Sequence, residues 1–152
     1  MAFLEIPNVR ISGVSACVPK NIESNWTSDL IPENERTNLI EKTGIEEKRV
    51  SLPDICTSDL CYSAADSLIE EMNCKSEIDA IVFVSQSPDY ILPATAPILQ
   101  HRLGLSQECM ALDVSLGCSG WVYGLSVISA LVANGKMRKA LLLAGDPCTR
   151  TP

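Results

Sequence analysis

The 152-residue chain holds 46% hydrophobic and 20% charged residues, enough apolar material for one packed core, which excludes wholesale disorder. Twelve Lys and Arg against nineteen Asp and Glu leave a net charge of -7, which excludes a general attraction to nucleic acid or anionic lipid. Seven cysteines at irregular spacing, with no C-x-x-C, read as reduced cytoplasmic thiols rather than a disulfide framework.

The opening MAFLEIPNVR carries Glu5 and Pro7 where an export signal needs a basic patch followed by an apolar stretch. Next, VRISGVSACVP (residues 9–19) mixes β-branched residues with Gly and ends in Pro19, which predicts a first strand running into a loop. A short polar helix is expected from Ser28 to Lys42, with Pro32 near its front and Gly44 closing it. A second is expected from Thr57 to Met72, with Thr57 or Ser58 as N-cap and Asp59 in the first turn. Cys61, Ala65, Leu68 and Met72 share one face of it, the face expected to meet a sheet.

Asp79 to Ser85 is a continuous apolar run without alternation, the pattern of a strand covered on both faces. Leu112–Val114 and Lys139–Ala144 are comparable, with helical segments between them at Pro93 to Leu103 and Cys118 to Asn134. The alternation predicts a parallel sheet with right-handed crossovers in a three-layer α/β arrangement. An uncharged run between Asp113 and Lys136 has the length of a membrane span, but its four Gly, four Ser and one Asn point to a buried helix instead. Trp121, Leu125, Ile128 and Val132 form an apolar stripe, and Val122, Val127 and Leu131 cover other sides, so this helix is expected to be central and covered all round.

Asp113-Val-Ser-Leu-Gly-Cys-Ser-Gly-Trp121 places Cys118 where a strand hands over to that helix, at the edge where α/β sheets present functional residues. In a first helical turn, unpaired N–H groups and the positive end of the macrodipole favour a thiolate, the form a nucleophile needs. Gly117, Ser119 and Gly120 are small enough to let a substrate carbonyl approach and backbone N–H groups reach its oxygen. The residues alone leave a second reading open: a cysteine among Gly, Ser and Leu is often a small buried hydrophobe.

DVSLGCSGW, followed by YGLS, Gly135 and KALLLAGD, resembles the active-site segment of β-ketoacyl-acyl carrier protein synthase III in the thiolase superfamily. The resemblance runs back through LPATAPILQHRLGL, DAIVFVS and KTGIEEKRV, and so covers essentially the whole chain. It implies a layered thiolase-like fold, with residues 1–152 forming an incomplete amino-terminal half of a five-layer αβαβα architecture. It also implies that Cys118 takes an acyl group from a thioester of coenzyme A or acyl carrier protein. Decarboxylative condensation with malonyl-acyl carrier protein follows in the family, in fatty acid or related biosynthesis.

The His and Asn that polarise the malonyl thioester in the family have no counterpart here, so the chain alone is expected to be inactive in the condensation. The single histidine, His101, reads as a helix-surface or interface residue. No cofactor beyond the thioester is implied, and one His without clustered ligand spacing predicts no metal. A homodimer is implied, in which Leu92 reaches the partner's acyl pocket or anchors its own loop.

At the coenzyme A entrance of the family, this chain has Asn38 for a tryptophan, Asn34 for a threonine and Lys42 for an arginine. Lys42 lacks the guanidinium fork, which leaves room for a carrier-protein-bound primer. Leu116 either shapes the pocket or is a core leucine, the latter being the more usual place for a leucine. Alternatives are a non-catalytic dimerisation or interaction module, or another superfamily enzyme such as a plant-type polyketide synthase, a hydroxymethylglutaryl-CoA synthase or a thiolase. Neither G-x-G-x-x-G, G-x-x-x-x-G-K-[ST] nor G-x-S-x-G occurs, which sets aside nucleotide-binding and serine-hydrolase readings.

Overall fold

A computed structural model describes residues 3–147; Cys148 and the terminal Pro152 lie outside the described residues. The chain divides into a larger compact unit, which takes in Cys17 and runs from Cys56 to Asp146, and a smaller one over Val18–Ile55.

In the smaller unit, β1 (Asn21–Ser24) pairs antiparallel with β2 (Glu47–Val50), and α1 (Glu33–Thr43) lies between them in sequence. Neither short strand is anticipated by the pattern of apolar residues, since both are mostly exposed and polar. Helix α1 starts five residues later than expected from Ser28, because Pro32 disfavours helical backbone at Ile31. The Arg36 guanidinium gathers the carbonyls of Trp26, Ser28 and Ile31 and holds the preceding segment as a loop. Gly44 ends the helix in the left-handed conformation at φ 70°, donating its N–H to Ile40 O.

The larger unit contains α2 (Thr57–Met72), β3 (Ile78–Val84), α3 (Thr95–Arg102), β4 (Met110–Val114), α4 (Gly120–Ala133) and β5 (Lys139–Ala144). The three strands are parallel in the order β4-β3-β5. As the central strand, β3 is covered on both faces, which is why its run is continuously apolar. Ile81 and Phe83 look to one side with Leu141 and Leu143 of β5, under Cys61, Ala65 and Ile69 of α2 and Ala96 and Leu99 of α3. Val82 and Val84 look to the other, with Leu112, Val114 and Leu142, under Leu125 and Ile128 of α4. The expected three-layer α/β arrangement is thus formed.

Helix α2 has the expected boundaries, but its N-cap is Cys56, whose N–H donates to Asp59 Oδ2 at 2.9 Å. Two other expectations fail. Residues 9–19 form no strand: they run largely exposed and have no strand partner among the described residues, and a strand without a neighbour cannot satisfy its backbone groups. Helix α4 is not covered all round. It buries Gly120, Gly124 and Ile128 against the sheet, while Trp121, Val122 and Tyr123 are more than half exposed.

Candidate active site

All three parallel strands end in one row: Val84 is in register with Val114 on one side and Ala144 on the other. Their carboxyl ends are bound together just beyond it, with Ser85 N–H donating to Val114 O at 3.3 Å and Gly145 N–H to Val84 O at 3.2 Å. The connections that leave this row carry the polar residues: Ser85 to Ser87 after β3, Ser115 to Ser119 after β4, and Gly145 with Asp146 after β5.

Cys118 lies on the β4 connection and is exposed, so the alternative of a small buried hydrophobe is not what the structure shows. It sits two residues ahead of α4 rather than in the helix's first turn, because Gly120 N–H folds back to Gly117 O at 2.7 Å and the helix ladder opens at Ser119 O. Close packing brings the start of α4 to the strand ends. A Cβ on Gly124 would meet Val84 Cγ2 at 2.5 Å and Leu142 Cδ1 at 2.9 Å, and one on Gly120 would meet Val84 Cγ1 at 2.7 Å. Any larger residue at either position would push the helix, and the turn that precedes it, off the sheet.

The other described cysteines have a different environment. Cys61, Cys74 and Cys109 are buried and Cys17 and Cys56 half-buried, all without disulfides. Burial, reinforced by the nearby charges of Asp89 and Asp146, pushes the Cys61 thiol up to about 12, and burial likewise raises Cys109.

Leu116 stands on the same connection as Cys118 and is 37% exposed, so the core-leucine reading is corrected: the chain has left the sheet at Val114, and the side chain is only partly covered. Leu92 is exposed on the connection between β3 and α3, together with Tyr90 and Ile91. Lys42 belongs to the smaller unit, exposed in the last turn of α1, and Asn34 and Asn38 are exposed on the same helix. His101 is exposed in the last turn of α3, as its helix-surface reading has it. Among the described residues no cluster of His, Cys, Asp and Glu could hold a metal ion, and no helix is long and apolar enough to cross a membrane.

Several carboxylates that shape this edge are missed by sequence reasoning. Asp113 accepts the N–H groups of Thr95 and Ala96, both at 2.7 Å, and so fastens the amino end of α3 to β4. Asp146 Oδ1 gathers Ser85 Oγ at 2.7 Å and the Gln86 N–H at 2.9 Å, with both polar groups of Ser87. Asp89 accepts from the N–H and hydroxyl of Ser58, while Arg102 donates to that hydroxyl and pairs with Asp59 at 2.9 Å. These partners lie 17 to 61 residues apart in the chain, so no local spacing could have revealed them.

Comparison with known proteins agrees with this arrangement. The family described as 3-Oxoacyl-[acyl-carrier-protein (ACP)] synthase III matches residues 112–151, the segment that bears Cys118. The chain is 33% identical over 143 residues to β-ketoacyl-[acyl-carrier-protein] synthase III of Syntrophomonas wolfei, covering 93% of this chain and 43% of that protein. Its counterpart from Xanthomonas oryzae pv. oryzae is 36% identical over 142 residues, with the same shares covered. A crystal structure of a 3-oxoacyl-(acyl-carrier-protein) synthase III superposes with a TM-score of 0.83 at 39% identity, over 90% of this chain and 41% of that one. The resemblance read from DVSLGCSGW is therefore borne out along nearly the whole chain, and the fold is thiolase-like. The chain spans somewhat less than half the length of these relatives.

Proposed function

We propose, from a chain that is synthase III-like over nearly all its length, that residues 1–152 are an amino-terminal half-domain supplying the acyl-accepting cysteine of a condensing enzyme. The observation that carries the reading is Cys118: an exposed thiol on the turn between the shared carboxyl edge of the sheet and α4, inside the segment that matches the family. The Cys118 thiolate attacks the carbonyl carbon of an acyl thioester. A carbon–sulfur bond to the enzyme forms, the thiolate of coenzyme A or acyl carrier protein leaves, and that thiolate takes up a proton.

In the complete enzyme, malonyl-acyl carrier protein loses carbon dioxide and its carbanion attacks the acyl-cysteine, which releases Cys118 and leaves a β-ketoacyl product. That step needs groups to stabilise the developing enolate, and the one histidine of this chain sits on the surface of α3. Acyl transfer to Cys118 is the part of the reaction that these residues supply, in a cytoplasmic, homodimeric protein. Leu92 and Leu116 border the acyl chain.

Incubation with an acyl-CoA or an acyl-carrier protein should add one acyl mass to the peptide containing Cys118, and Cys118→Ser should abolish it. Iodoacetamide at pH 8 should modify Cys118 well before Cys61, whose thiol near 12 leaves roughly one molecule in ten thousand as thiolate at that pH. The open apolar face of α4 favours a second reading, a non-catalytic interaction module, and a Cys118 no more reactive than the half-buried Cys17 and Cys56, with no acyl transfer, would establish that reading instead.

A further inference from the structure

The connections after β3 and β4 meet through one side chain. Gly117 immediately precedes Cys118, and a Cβ there would lie 2.5 Å from Gln86 Oε1 and 3.3 Å from Gln86 Cδ. The amide of Gln86 thus fills the space that a side chain at 117 would occupy. Its backbone is held firmly, because the Gln86 N–H donates to Asp146 Oδ1 at 2.9 Å. The hydroxyls of Ser85 and Ser87, at 2.7 and 3.0 Å, bind the same oxygen from either side.

Gly117 is also the residue whose carbonyl closes the turn around Cys118, accepting from Gly120 N–H at 2.7 Å. The turn is therefore closed from within by its own hydrogen bond and bordered from outside by the Gln86 amide. Gln86 is exposed, so its side chain does not serve as core filling. Its placement instead couples a fixed carboxylate after β5 to the backbone leading into the nucleophile.

We propose that Gln86, anchored by Asp146, is a positioning residue for Cys118: its amide packs on Gly117 and sets the path of the turn that presents the sulfur. The proposal rests on the acyl-accepting role of Cys118. The missing Cβ at Gly117 leaves the room the amide occupies, and a side chain there would make the Gln86 amide swing aside. Small displacements of a nucleophile have large kinetic consequences, since about 1 Å can slow a reaction up to roughly a hundredfold.

The test compares the full chain with Gln86→Ala, Gly117→Ala and the double variant, following alkylation of Cys118 by iodoacetamide and its acylation by acetyl-CoA. Thermal midpoints are measured alongside. Gln86→Ala should lower the maximal acylation rate about tenfold with little change in apparent KM and in thermal midpoint, and shift the alkylation rate at least about threefold. Gly117→Ala should be slowed to a similar degree, because the added methyl displaces the amide, and the double variant should be about as slow as either single variant. Wild-type rates in both readouts for Gln86→Ala, or a double variant slowed by the product of the two single effects, would overturn the proposal. If the wild-type chain accepts no acyl group, the acyl-transfer reading of Cys118 fails, while the alkylation rates still decide the positioning role.

Discussion

The two faces of the parallel sheet are built from equally apolar residues and end up in different states. On one face, Phe83, Ile81, Leu141 and Leu143 disappear beneath α2 and α3, whose polar sides turn outward. On the other, Val82 and Val84 are covered by α4, yet α4 exposes Trp121, Val122, Tyr123 and Val127 on its far side. The first face is a completed core, made by helices with one apolar stripe each. The second is a helix with more apolar surface than the described residues can cover, the feature that distinguishes an interaction surface from a core.

Substitution experiments can break that contrast. The largest effect is expected for Phe83→Ala, where a fully buried ring leaves a cavity worth about 3–5 kcal/mol, while Val122→Ser on the open side of α4 should change the chain's unfolding free energy by under about 0.5 kcal/mol. Denaturant titration of both variants checks this, and a comparable loss at Val122 would show that α4 is covered after all. Gly124→Ala should cost about 1–3 kcal/mol, because its methyl would strike Val84 and Leu142 on the covered side of the same helix.

The smallest effect concerns the amino end of β3, opposite the edge that carries Cys118. There the Arg138 guanidinium and backbone N–H, both bonded to Asp79, hold its carboxyl at about 2 against an ordinary 3.8. A carboxyl pulled down in the folded state stabilises it above the unfolded value, and that contribution is lost as pH falls from about 3.8 through about 2. Asp79→Asn should therefore lower the thermal midpoint slightly at neutral pH, since the pair faces solvent, and the gap to wild type should close over that acid range. A gap independent of pH would assign the effect to packing.

Much of the larger unit was legible in the sequence because its signals are local. Helix periodicity placed α2 between Thr57 and Met72, and the unbroken apolar run placed β3 within one residue of its observed limits. The β4–α4 junction was read through Cys118 in the same way, from a short strand followed by small residues and a long apolar segment. The errors arose where the outcome depends on what lies across from a segment. Residues 9–19 have strand composition but no strand partner among the described residues, and Leu116 has a core side chain on a connection that has left the sheet.

The sequence by itself therefore determined the parallel α/β arrangement, the position of the candidate nucleophile and its likeness to the synthase III proteins. Tertiary structure alone decided which side of α4 is covered, and that one oxygen of Asp146 organises the β3 connection from some 60 residues away. It likewise decided that the Gln86 amide lies on Gly117. Periodicity and turn chemistry act within a few residues and leave a trace in the local pattern, whereas burial and long-range hydrogen bonds depend on which segments the fold brings face to face.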